Sequence, residues 1–149
     1  MKSRKCGLLI FCAGLLLAGK CWACSHEQIT PTCSSSYENH NQTDNGPLKV
    51  GAVAGIAKDG SGVAVSGACL LLFTEVNHSL MQTGVSAADG TFSFQEVPPG
   101  RYRLVIKYNG FCAANIPLKV INKAGQKAKI AVHLRPPGSD TCSDGELTS

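Results

Sequence analysis

The sequence predicts an all-β fold, a seven-stranded antiparallel sandwich, on three observations. Between Pro47 and Arg135 apolar residues recur with period two, and no stretch shows a capped 3.6-residue period. The apolar runs are short. They are separated by Asp-Gly, Asn-Gly, Pro-Gly and Ala-Gly, pairs that turn a chain rather than extend it.

Each candidate strand has its own justification. "KVGAVAGIAK" (Lys49 to Lys58) stops at the turn signal Asp59–Gly62, and "GACLLLFTEV" runs from Gly67 to Val76. "SLMQTGVSA" (Ser79 to Ala87) meets Asp89-Gly90, which favours a tight hairpin into the next strand. That strand, Thr91 to Val97, alternates Phe92 and Phe94 with Ser93 and Gln95. "RYRLVIKY" (Arg101 to Tyr108) sets Tyr102, Leu104 and Ile106 against Arg101, Arg103 and Lys107. "ANIPLKVI" (Ala114 to Ile121) contains Pro117, which cannot donate to a ladder and predicts an edge strand or a bulge. "QKAKIAVHL" (Gln126 to Leu134) puts Ala128, Ile130, Val132 and Leu134 on one face and Lys127, Lys129 and His133 on the other. Such alternation suits sheets with one wet face, stacked on a shared core. In "LLLF" (Leu70 to Phe73), Leu71 and Phe73 fall on the face opposite Leu70 and Leu72. Two readings follow: burial under a tail or loop, or an exposed apolar strip that docks a partner.

Between Pro98, Pro99 and Gly100 the chain hands one alternating run to the next. "VPPG" lacks the repeated P-x-x-P of a polyproline ligand. It reads as a turn in which proline fixes φ and Gly100 is free to take φ > 0.

The ends have different chemistry. Lys2, Arg4 and Lys5 precede the apolar run Cys6 to Gly19, which at ~1.5 Å per residue is too short to cross a ~30 Å hydrocarbon core. A basic start, a short apolar stretch and a small-residue exit describe a secretory signal peptide, residues 1–23, cut after Ala23. Residues 24–46 form a polar Ser/Asn/Thr-rich leader, 47–135 the sandwich domain, and 136–149 a polar, proline-punctuated tail; both flanks are expected to be flexible. The whole chain carries +4, but four of its 14 basic residues and none of its 10 acidic ones precede the cut. The mature chain is therefore neutral, which argues against a nucleic-acid partner. Five of eight cysteines remain after the cut: Cys24, Cys33, Cys69, Cys112 and Cys142. Exported cysteines tend to pair, and an odd count leaves one over. Cys24, as a first mature residue, is a candidate for lipid attachment, although "GKCWA" before it lacks the leucine of a lipobox. The compartment implied is secreted, periplasmic or cell-envelope, in a bacterium.

Taken with their order, these residues resemble the carboxypeptidase regulatory-like domain, a Greek-key sandwich of the prealbumin (transthyretin-like) group. Gly67-Ala68, Leu70 and Leu72 match its second strand. Asp89-Gly90, Phe92 and Phe94 match "D-G-x-F-x-F", Val97-Pro98-Pro99-Gly100, Tyr102 and Leu104 match "V-P-P-G-x-Y-x-L", and Gly110-Phe111 the pair that follows. The likeness spans Val50 to Leu134. Two departures stand out: Val63-Ala64-Val65 replaces the usual proline, and Cys69 replaces a plain outward residue. Strand directions in that fold would bring Cys69 to Cys112 as the first candidate disulfide, with Cys112–Cys142 as its rival.

The resemblance implies a binding or structural module. Enzymes in the wider group would need features that do not stand here. A hydroxyisourate hydrolase would carry a Tyr-Arg-Gly-Ser tail, where this chain ends "GELTS"; an intradiol dioxygenase would need two Tyr and two His on iron. His26, His40, His78 and His133 are scattered with no metal-ligand spacing, and there is no G-x-S-x-G elbow. Asn41-Gln42-Thr43 and Asn77-His78-Ser79 are glycosylation sequons in form. The expectation is a non-enzymatic module without a cofactor, contacting a protein or a glycan; a divergent hydrolase, or capture of a peptide along the strand containing Pro117, is the alternative.

Overall fold

The computed structural model describes residues 33, 46–121, 128–138 and 143–148. Residues 1–23, with the expected signal peptide, lie outside them, as do Cys24 and Cys142. Nine strands are formed among the described residues: β1 Leu48–Val50, β2 Ala54–Asp59, β3 Cys69–Thr74, β4 Leu80–Val85, β5 Thr91–Ser93, β6 Gly100–Lys107, β7 Ala114–Val120, β8 Lys129–Leu134 and β9 Asp144–Thr148. They make a five-stranded sheet in the order β1-β7-β6-β3-β4 and a four-stranded sheet in the order β5-β2-β8-β9. The protein is an all-β sandwich.

The alternating runs deliver the core as expected. Leu70 and Leu72 of β3, Leu104 and Ile106 of β6, and Leu118 of β7 point from one sheet; Phe92, Ile130, Val132 and Leu134 meet them from the other. Each large side chain so buried contributes roughly 1.5–3 kcal/mol. Ser86 adds a polar staple. Its hydroxyl donates to the Val65 carbonyl at 2.7 Å and accepts from the Ala68 amide at 2.9 Å.

Four expectations are corrected. The sheets are mixed rather than antiparallel, because β1 runs parallel to β7 and β2 parallel to β8. The single strand expected over Lys49–Lys58 is two, β1 and β2, in different sheets, with the chain bending at Gly51-Ala52. Asp89-Gly90 does not close a hairpin, since β4 and β5 also belong to different sheets. The tail from Pro136 onward includes β9, antiparallel to β8 from Lys129↔Thr148 to His133↔Asp144. The Pro117 expectation is met over half of β7. β1 pairs with Leu118–Val120, and among the described residues Ala114–Pro117 have only β6 beside them.

Candidate functional site

The signature turns place the strands and carry local chemistry of their own. At the first, the Gly90 amide donates to the Ala87 carbonyl at 2.9 Å, and the Ala57 amide donates to the Gly90 carbonyl at 2.9 Å. Gly90 has φ +77°, and a Cβ there would lie 2.5 Å from the Ala57 carbonyl oxygen, so glycine is required twice over. The Asp89 carboxylate accepts from the Thr91 hydroxyl at 2.6 Å and the Thr91 amide at 3.0 Å. The hydroxyl first, and then the amide, hold its pKa below the ordinary 3.8.

The second turn differs from expectation. Glu96, not Gly100, takes the left-handed conformation, with φ 52°. Pro98 and Pro99 lead directly into β6, whose first residue is Gly100. The Tyr102 ring lies over Gly100, where an added Cβ would stand 3.2 Å from it, and the Tyr102 hydroxyl donates to the Pro98 carbonyl at 2.9 Å. Glycine is needed here to admit an aromatic ring, not to turn the chain.

Two regions gather polar or exposed groups. The outward face of the five-stranded sheet holds a partly buried ion pair. Arg103 donates through Nε to Glu75 Oε2 at 3.0 Å and through Nη2 to Oε1 at 2.5 Å, while its Nη1 donates to Asn115 Oδ1 at 3.3 Å. Period-two reasoning put Arg103 in water. It is buried, as is Asn115, because this face is not wet. Its apolar strip is Leu71, Phe73 and Val105, against which Cys33 packs.

The same face corrects the disulfide. Cys69 is bonded to Cys33, with the Cα atoms 5.6 Å apart, and not to Cys112. Cys69 shares the outward face of β3 with Leu71 and Phe73. Cys112 sits beyond β6, where its amide donates to the Arg135 carbonyl at 2.8 Å and its carbonyl accepts from the Ser143 hydroxyl at 2.6 Å. Those bonds tie Cys112 to the four-stranded sheet. The leader gave no apolar pattern by which Cys33 could have been singled out.

The second region is the open side of the sandwich, where β4 edges one sheet and β5 the other. Gln82 of β4 spans the gap and donates to the Gln95 carbonyl at 3.0 Å. Next to it is an open cleft of about 510 Å³ lined by Ala54, Gly55, Val85, Phe92, Ser93 and Lys129. Leu80 and Val85, at the two ends of β4, are 40% and 43% exposed. The outer edge of β4 has no partner strand among the described residues.

The described histidines do not converge. His78 lies in the turn after β3, and His133 on β8 of the other sheet, 3.4 Å from Glu146. Among the described residues no group of three His, Cys, Asp or Glu side chains is placed to hold a metal ion. Asn77, in the second sequon, uses its carboxamide oxygen to accept from the Thr74 and Ser79 hydroxyls of the same turn. His26, His40 and the first sequon lie outside the described residues.

A family profile for the carboxypeptidase regulatory-like domain matches residues 52–135. The chain belongs to that family. The match begins just before β2 and ends just after β8, so β1, β9 and the Cys33 attachment lie outside it. Among solved structures, the chain is similar to the 5-hydroxyisourate hydrolase of Klebsiella pneumoniae, at 19% identity and a TM-score of 0.49 over 71% of this chain and 100% of that one. A comparison with curated proteins returned no match.

Proposed function

We propose that this carboxypeptidase regulatory-like domain is an exported, non-catalytic module that works by contact with a protein or a glycan, at the cell envelope or outside it. The observation that carries the reading is the open side of the sandwich. There the β4 edge, with no partner strand among the described residues, adjoins the cleft bounded by Phe92, Ser93 and Lys129. An edge strand of six residues with exposed apolar ends suits an added extended peptide, whose backbone would complete the ladder while alternate side chains reach the cleft. The Cys33–Cys69 disulfide supports an oxidising compartment. The basic start and short apolar run of the sequence support export.

The test is an array of extended peptides and glycans probed with the mature protein. It is run beside a Leu80→Lys/Val85→Lys variant, whose charges lie at exposed positions and should leave the fold intact. Peptide binding that disappears in the variant supports edge capture. Glycan binding indifferent to the variant moves the contact elsewhere, and no binding to either class overturns the reading. A divergent hydrolase would need convergent His and Arg groups; of the described histidines, His78 lies in the turn after β3 and His133 on β8 of the other sheet. Intact mass of the exported protein would report both the cut site and any lipid on Cys24.

A further inference from the structure

The outward face of the five-stranded sheet changes character along its strands. Beside Leu71, Phe73 and Val105 it is apolar and buried. Toward the start of β6 it is cationic. Tyr102, Leu118 and Val50 point into the core, so Arg101, Lys119 and Lys49 beside them point outward. Arg101 is the register partner of Lys119, and Lys119 of Lys49. The three stand in one row across β6, β7 and β1, and all are exposed.

Neighbours in that row are one strand spacing apart, ~4.8 Å. Like charges directly opposite each other destabilise a sheet. Among the described residues no acidic side chain forms an ion pair with Arg101 or Lys119. Glu75 lies next to Arg101 and donates its amide to the Arg101 carbonyl at 3.1 Å, but both its carboxylate oxygens bind Arg103. Lys49 has a further interaction of its own and extends the row rather than defining it. The mature chain is neutral, so the row is a local concentration of charge and not a background excess. A repulsion kept on an exposed face points to an anion that relieves it.

A hollow of about 110 Å³ adjoins the row, lined by Pro47, Glu75, Arg101, Tyr102, Pro117 and Leu118. It is well below the ~300 Å³ that encloses a small molecule, and suits one group of a longer ligand. Its lining combines two proline rings with a guanidinium. The rings offer apolar surface to the C–H face of a sugar, and the guanidinium offers paired donors to a carboxylate.

We propose that this end of the outward face binds an acidic glycan, a polymer of carboxylated sugars. Arg101 and Lys119 take its carboxylates, and one ring rests against Pro47 and Pro117. A pyranose residue advances a glycan by about one strand spacing, so the two long side chains reach the carboxylates of neighbouring sugars. An extended peptide presents same-side carboxylates at a longer step, ~6.6 Å. The site lies on the β1 side of the sheet, away from β4, and does not rest on the reading given for the β4 edge.

Isothermal titration of the mature, oxidised protein with polygalacturonate tests the site. Binding is expected to weaken as salt rises, and to be about tenfold or more weaker in Arg101→Gln/Lys119→Gln. Removing a like-charge pair should leave Tm unchanged or raise it, which separates lost binding from lost fold. The charge-keeping Lys119→Arg variant should bind as the wild type does. Leu80→Lys/Val85→Lys should still bind polygalacturonate, so the two sites stand or fail separately. Undiminished binding by the Gln pair, or no binding by the wild type, would overturn the proposal. Equal affinity for polyglutamate or single-stranded DNA would overturn it too, since the row would then be an indiscriminate polyanion surface.

Discussion

At the scale of single residues, the two signature glycines look alike in sequence and differ in physical cause. Gly90 combines φ +77° with a Cβ position 2.5 Å from a backbone oxygen, so neither side-chain movement nor a small backbone adjustment relieves a substitution. Gly90→Ala is expected to cost about 2 kcal/mol or more, lowering Tm by about 10 °C in a thermal melt. Gly100→Ala meets only the Tyr102 ring at 3.2 Å, and the smaller loss should track the packing of that ring. Beside Gly90, the Asp89 carboxylate binds the Thr91 hydroxyl and amide, which lowers its pKa in the folded state. Its contribution to stability is therefore complete above the ordinary carboxylate value and is lost as pH falls through the lowered one. Asp89→Asn should make the wild-type and variant stabilities converge below about pH 3.8, as measured by urea unfolding across pH.

At the scale of elements, β3 is the informative strand. Its burial pattern runs through both faces, so it behaves like a central layer although it lies next to the edge of a two-layer fold. Phe73→Ala should then cost about 3–4 kcal/mol, as a core truncation does, and not the few tenths of a surface change. Equilibrium denaturation distinguishes the two. The run "LLLF" announced this choice between cover and exposure but did not decide it. β1 and β2 show the opposite limit of sequence reading: the apolar period continues through Gly51-Ala52, and only the change of sheet breaks it. β9 was illegible for a simpler reason. "DGELT" is polar because four of its five residues are acidic, small or hydroxylated, and its ladder with β8 needs backbone alone.

At the scale of the whole molecule, the ends of the chain complete the sandwich that the family-matched segment begins. β1 and β9 edge the two sheets, and Cys33 anchors to the outward face. A second cysteine connection is expected on grounds of chain proximity. The Ser143 hydroxyl binds the Cys112 carbonyl at 2.6 Å, and the residue before Ser143 in the chain is Cys142. Non-reducing peptide mapping is expected to find Cys112 linked to Cys142 and Cys33 to Cys69, leaving Cys24 as the odd cysteine. A Cys69–Cys112 peptide would contradict the Cys33–Cys69 bond and this expectation.

The class of fold, the family resemblance and the inward residues of β3, β6 and β8 were legible in the sequence alone. Period-two alternation and the Asp-Gly and Pro-Pro-Gly turns are local properties, and local properties survive without knowledge of neighbours. The tertiary structure decided what lies on the other half. Whether Leu71 and Phe73 meet water depends on what packs on the outward face, where Cys33, bonded to Cys69 36 residues further along the chain, lies against them. Among the described residues it also placed β4 at a sheet edge and left the Ala114–Pro117 half of β7 with only β6 beside it. Both are consequences of strand order, which pairs residues distant in the chain and is written in no single stretch of it.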